Sequence, residues 1–175
     1  MNIAIIGSGS WATALAKIVM HNTSEINWHI RKQETIDEFV EIRRNPNHLE
    51  WAYFDVSRIH FSADINAVIE QSDLLVLAIP SPYLKQSLND ITVDMSQKMV
   101  ISAVKGMIPD ENLLVTEYLH KFFNVPNENL GVIAGPCHAE EIALERLSYL
   151  TVGCENMDKA REWSKLFDTP YVRTT

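Results

Sequence analysis

Near its start the chain runs Ile3-Ala4-Ile5-Ile6, breaks at two glycines one residue apart, Gly7 and Gly9, and resumes as Ser10-Trp11-Ala12-Thr13-Ala14-Leu15 in helical register. A run that is apolar at every position, rather than every second one, describes a strand covered on both faces. Such a strand needs helices above and below it. The rest of the chain should therefore alternate between the two kinds of element.

It does. After the first strand, residues 2–7, the spacing of Ala14, Leu15, Ile18 and Val19 predicts a helix over 10–22. A second strand follows over 26–30 and an amphipathic helix over 34–44, through Ile36, Phe39, Val40 and Ile42. The stretch 45–57 reads as a loop carrying Trp51, Tyr53 and Phe54. Strands at 59–62, 73–80, 99–104 and 130–134 alternate with helices at 64–71, 83–90, 111–123 and 138–146. The end reads strand 148–153, helix 157–167, strand 171–174. Residues 73–80, DLLVLAIP, give the clearest buried strand. This alternation predicts a Rossmann-type α/β fold, doubly wound, with a mostly parallel sheet of six or more strands and helices on both faces. With no repeat or flexible linker, residues 1–175 read as one domain.

Composition excludes other classes. No apolar stretch approaches the roughly 18 residues of a spanning helix, so membrane insertion is not expected. A formal net charge of −8 leaves no basic footprint for nucleic acid. Cys137 and Cys154 make no disulfide framework, which fits a reducing cytoplasm, and no metal site is expected.

At a strand-to-helix junction, the Gly7-x-Gly9-x-x-Ala12 spacing has a mechanical meaning. Gly7 permits the tight turn, Gly9 lets a pyrophosphate approach the backbone, and Ala12 lets the helix pack close. The helix N-terminus then offers N–H groups to the phosphates. We therefore expect a dinucleotide. An NAD site usually carries an acid about 20 residues beyond the glycines, on the ribose 2′-hydroxyl. Here Ile30, Arg31 and Lys32 take that place, and a guanidinium at Arg31 accommodates a 2′-phosphate. NADP(H) is the expected preference, with NAD(H) the other candidate.

Three further breaks fall at predicted strand ends: IPSP at 79–82, Lys105-Gly106, and GPCHAEE at 135–141. In an open parallel sheet, ligands bind beyond these ends. Lys105 is a cation at the mouth of a buried strand, placed to stabilise charge growing on a carbonyl oxygen. Pro136 and Cys137 precede a helix whose first amides can meet an anion or an amide. Cys137 has no partner His fixed by spacing and reads as a lining residue rather than a nucleophile, with His138 directed elsewhere. Trp11 is expected to wall the pocket. The aromatics of 51–54 belong either to that wall or to the core, and Asp73 reads as a turn or cap.

Taken together, GSGSWATALA (7–16), WHIR (28–31), AIPS (78–81), VKGM (104–107) and GPCHAEEIA (135–143) resemble the bacterial NAD(P)-dependent glycerol-3-phosphate dehydrogenases along essentially the whole chain. The departures are Ala12 for a usual glycine, Ile30 for a common His, and Cys137 for Ser or Thr. The resemblance implies that Ser10, Trp11, Arg31, Lys105 and Ala139 contact NADPH, and that Lys105, Gly135 and Cys137 touch glycerol 3-phosphate. It implies reversible hydride transfer between the nicotinamide and C2 of dihydroxyacetone phosphate, giving sn-glycerol 3-phosphate for phospholipid synthesis, in the cytoplasm. Members continue into a helical domain that carries a general acid/base lysine and an Arg-Asn pair for the substrate phosphate. On that basis these residues are expected to be the nucleotide-binding half, inactive alone, with a homodimer formed through the other half. Two rivals stay open: an NAD(P)H-sensing domain without catalysis, and a reductase of the ketopantoate or β-hydroxyacid type.

Overall fold

The computed structural model describes all 175 residues. Eight strands form one sheet: β1 (Ile3–Ile6), β2 (Ile26–His29), β3 (Ile59–Ser62), β4 (Leu74–Leu77), β5 (Met99–Ser102), β8 (Leu130–Ala134), β9 (Ser148–Cys154) and β10 (Val172–Thr174). Their order is β10-β9-β8-β5-β4-β1-β2-β3. From β3 to β8 the pairs are parallel, whereas β9 runs antiparallel to β8 and carries β10 parallel to itself. The six parallel strands follow the order of the doubly wound dinucleotide fold, which reverses between β1 and β4. That reversal opens a crevice at the carboxyl edge.

The helices are α1 (Ser10–Asn22), α2 (Gln33–Ile42), α3 (Ile65–Glu70), α4 (Ser81–Asn89), α5 (Val115–Phe123), α6 (Ala139–Ala143) and α7 (Met157–Phe167). They divide the apolar interior into two clusters, one on each face of the sheet. Every residue of β1, β2 and β4 is buried; β1 and β4 are the continuous apolar runs expected of covered strands, whereas β2 also buries the polar Asn27 and His29. One cluster is anchored by Trp28, whose ring lies 5.3 Å from Phe39, 5.5 Å from Phe54 and 5.7 Å from Phe61. Phe54 thus fastens the 45–57 loop to the core.

Three expected helices end or begin elsewhere, each for a backbone reason. The second stops at Ile42 because Arg43 turns left-handed, φ 56°. The segment expected to open α5 instead forms a hairpin, β6 (Met107–Ile108) with β7 (Leu113–Leu114). Asp110 and Asn112 adopt φ 67° and 51°, conformations these two residue types tolerate and a helix forbids. Helix α6 is shorter than expected because Glu145, φ 57°, ends its turn.

Candidate functional site

The first crossover is held from behind. Gly7 sits at φ +127°, and a Cβ there would come 2.6 Å from the Ala78 carbonyl oxygen. Only glycine meets both conditions. Trp28 Nε1 donates to the Gly7 carbonyl at 2.7 Å, fixing the turn to the aromatic core. Around Gly9 there is no atom within 4 Å of a built Cβ, so open space stands where a side chain would otherwise project. Thr13 donates its N–H to the Gly9 carbonyl at 3.0 Å, leaving the amides of Ser10, Trp11 and Ala12 as the free N-terminal groups of α1. Their dipoles and the space before them fit a diphosphate.

Two lobes extend from this loop. The first, about 320 Å³, is lined by Gly7, Ser8, Gly9, His29 and Arg31, with Tyr83, Gln86 and Ser87 from α4. The second, about 370 Å³, is lined by Ser10, Trp11, Lys105, Cys137, His138, Ala139 and Glu140. Both share Ala78, Ile79 and Pro80, the break after β4. The chain thus brings the glycine loop and Arg31 to one side, and Ser10, Trp11, Lys105, Cys137 and Ala139 to the other.

Several expectations change. Gly135 lines neither lobe. A Cβ on it would meet the Tyr149 carbonyl oxygen at 2.3 Å, so its glycine is explained by the close approach of β9. Ile30 is buried within the core and cannot face a ribose, because strand alternation directs it with Trp28. Trp51 and Tyr53 are exposed and line neither lobe, while Phe54 is core. His138, expected to point away, stands in the Lys105 lobe. The amide of His138 donates to the Glu141 carboxylate at 3.3 Å, so the 135–141 turn offers one fewer free donor to an anion than expected. Asp73 accepts the Asn2 N–H at 2.7 Å as a turn residue.

Burial raises the Cys137 thiol above its ordinary value; Lys105 pulls it down and Glu141 adds to the rise. The sulfur therefore stays protonated near neutrality and suits a lining role.

Sequence reasoning missed Asn45. Its buried amide donates to the Ser8 carbonyl at 2.9 Å and to Thr13 Oγ1 at 2.8 Å, and Thr13 Oγ1 donates to the Gly9 carbonyl at 2.9 Å. Asn45 lies in the 45–57 loop, and its Asn-Pro-Asn setting announced only a turn. His29 was missed as well, since it reads as one residue of a strand.

A six-strand parallel order with a glycine turn and helix N-terminus at its reversal defines the class of dinucleotide-binding α/β domains. Residues 2–160 match the family described as "NAD-dependent glycerol-3-phosphate dehydrogenase N-terminus", and the chain belongs to it. The glycerol-3-phosphate dehydrogenase [NAD(P)+] of Oceanobacillus iheyensis is 30% identical over 98% of this chain and 49% of its own length. That of Limosilactobacillus reuteri is 26% identical over 98% of this chain and 52% of its own length. Among solved structures, a Plasmodium falciparum glycerol-3-phosphate dehydrogenase superposes with a TM-score of 0.88 at 29% identity, covering 100% of this chain and 52% of that one. The chain thus spans about half the length of the curated relatives it matches.

Proposed function

We propose that the chain binds NADP(H) or NAD(H) across the two lobes, as the nucleotide-binding half of an enzyme interconverting dihydroxyacetone phosphate and sn-glycerol 3-phosphate. The observation that carries this is the placement of Lys105 in the same lobe as Ser10 and Trp11 of the α1 N-terminus. The diphosphate would rest on the free amides of α1 and in the open space at Gly9, with the adenosine toward Arg31. When bound, the coenzyme supplies hydride exchange at its nicotinamide ring. The chain's own residues bind and orient. Trp11, Ala139 and Cys137 form a largely apolar wall that excludes water, and the Lys105 ammonium supplies a donor to a substrate oxygen on which charge grows.

A cytoplasmic location and a homodimer built through the other half of the enzyme belong to the same proposal. No helix of the chain is long and apolar enough to cross a membrane. A sensor without catalysis has no use for Lys105 at this position, which favours the enzymatic reading.

Fluorescence titration with NADPH and NADH tests it. We expect both to bind and NADPH to bind more tightly, with Arg31→Ala narrowing the difference. Equal affinities would refute the preference, and no binding would refute the proposal. The chain alone should reduce dihydroxyacetone phosphate far below the rate of a full-length relative.

A further inference from the structure

Three successive peptide units at the first crossover are each held by the carbonyl. The Gly7 carbonyl accepts from Trp28 Nε1 at 2.7 Å, the Ser8 carbonyl from the Asn45 amide at 2.9 Å, and the Gly9 carbonyl from the Thr13 N–H at 3.0 Å and hydroxyl at 2.9 Å. In a planar trans peptide the N–H points opposite to the C=O. Each fastening therefore turns the next N–H, of Ser8, Gly9 and Ser10, the other way, and none of the three donates within the chain. Asn45 lines neither lobe, whereas Ser8 and Gly9 line the one under Arg31. The three units differ in what else restrains them. Turning a unit over swings φ of the following residue by about 180°. For the first unit that residue is Ser8, and for the third it is Ser10, which opens α1; a side chain at positive φ and a broken helix start oppose both. For the middle unit it is Gly9, at φ −76°, and glycine accepts positive φ as readily as negative. The glycine that admits a diphosphate thus also frees its own peptide to turn, which would put the Ser8 carbonyl where an anion should rest. Asn45 holds that unit. It is 1% exposed, and its Oδ1 accepts the Asn47 N–H at 3.0 Å, which fixes its NH2 toward Ser8 and Thr13.

Resting on the dinucleotide reading above, we propose that Asn45 is a positioning residue for the coenzyme: from outside the β1–α1–β2 unit it keeps the Ser8–Gly9 peptide from turning over, so that the diphosphate meets the Gly9 N–H and not the Ser8 carbonyl. With that amide already aimed, binding does not have to reorient the loop. The 45–57 loop, which reads as a connection, thereby sets the strength of a lobe it does not line. Asn45's own partners are not ionisable. Of its charged or titratable neighbours in the loop, Arg44 is spent on the Glu50 carbonyl and the Tyr53 hydroxyl, and His48 on Ser10 Oγ. The native contact therefore has no titration of its own.

The test is calorimetric titration of the 175-residue chain and two variants with NADP+. Asn45→Ala, which lets the peptide turn, should weaken binding about tenfold at every pH. Asn45→Asp keeps the shape, but a carboxylate can only accept, so at about pH 8 the loss should be at least as large. Once protonated, the carboxyl donates to the Ser8 carbonyl again, and burial places that protonation above the ordinary carboxyl range. Affinity relative to the unaltered chain at the same pH, a ratio that cancels His48 and the ligand's own phosphate, should therefore recover most of the loss between about pH 8 and about pH 5. Folded variants that bind as tightly as the unaltered chain, or an Asn45→Asp deficit equal at both pH values, overturn the proposal while leaving dinucleotide binding intact. Should neither variant fold by circular dichroism, NMR of the unaltered chain decides. The Asn45 side-chain amide protons should be protected from exchange before ligand is added, and NADP+ should shift the Gly9 N–H. Unprotected Asn45 protons or an unmoved Gly9 overturns the proposal. Failure of the unaltered chain to bind NADP+ overturns it together with the dinucleotide reading.

Discussion

In the lobe under Arg31 the floor is main chain fastened from behind: Gly7 by Trp28 and the crowding of Ala78, Ser8 by Asn45, Gly9 by Thr13. Across the crevice, Lys105, His138 and Glu140 are exposed side chains standing on a backing of small buried residues, Ala103, Cys137 and Ala139. The first lobe is part of the folding core. The second is an arrangement added to its rim. Substitutions in the first should therefore cost stability and binding together, and those in the second should cost function alone.

The strongest challenge to this contrast is Gly7→Ala. A methyl 2.6 Å from a backbone oxygen, at a φ that L residues avoid, should destabilise the chain by about 3–5 kcal/mol in urea unfolding and abolish nucleotide binding. Full stability would show that the loop is not coupled to the core. Asn45→Ala comes next. It removes one buried and one part-buried hydrogen bond and leaves the Ser8 carbonyl without its partner, for an expected loss of about 2 kcal/mol and a weaker coenzyme titration.

A smaller effect follows from His29, whose pKa in the folded chain lies below the ordinary value of 6.5. Between those two values the unfolded chain binds the extra proton, so stability rises with pH there and falls as the solution is acidified through 6.5. Thermal melts over that window should show the slope, and His29→Gln should flatten it. Smallest is Lys105→Met, which should leave stability within about 0.5 kcal/mol, while the equivalent change in a full-length relative should lower turnover. A large stability loss there would erase the contrast between the lobes.

How much was legible before folding follows the same division. Strands β1 and β4 and the glycine turn could be read because burial on both faces writes an apolar run, and a turn between strand and helix writes its glycines. Lys105 was legible as a cation at a strand end. The hairpin at 107–114 was not, because left-handed Asp110 and Asn112 resemble a helix start in one dimension. Gly135 was legible as a glycine, whereas the crowding that requires one, the Tyr149 carbonyl of a neighbouring strand, was not.

The sequence by itself determined the alternation of elements, the crossover at Gly7–Ala12 and the set of residues at the carboxyl edge, because periodicity and backbone freedom are local properties. Only the tertiary structure decided that Asn45 braces the glycine loop, that Ile30 is core while His29 faces the crevice, and that Cys137 shares a lobe with Lys105. Those are facts about atoms distant in the chain. They are set by which elements pack together and by the strand alternation that turns one side chain inward and the next toward the ligand.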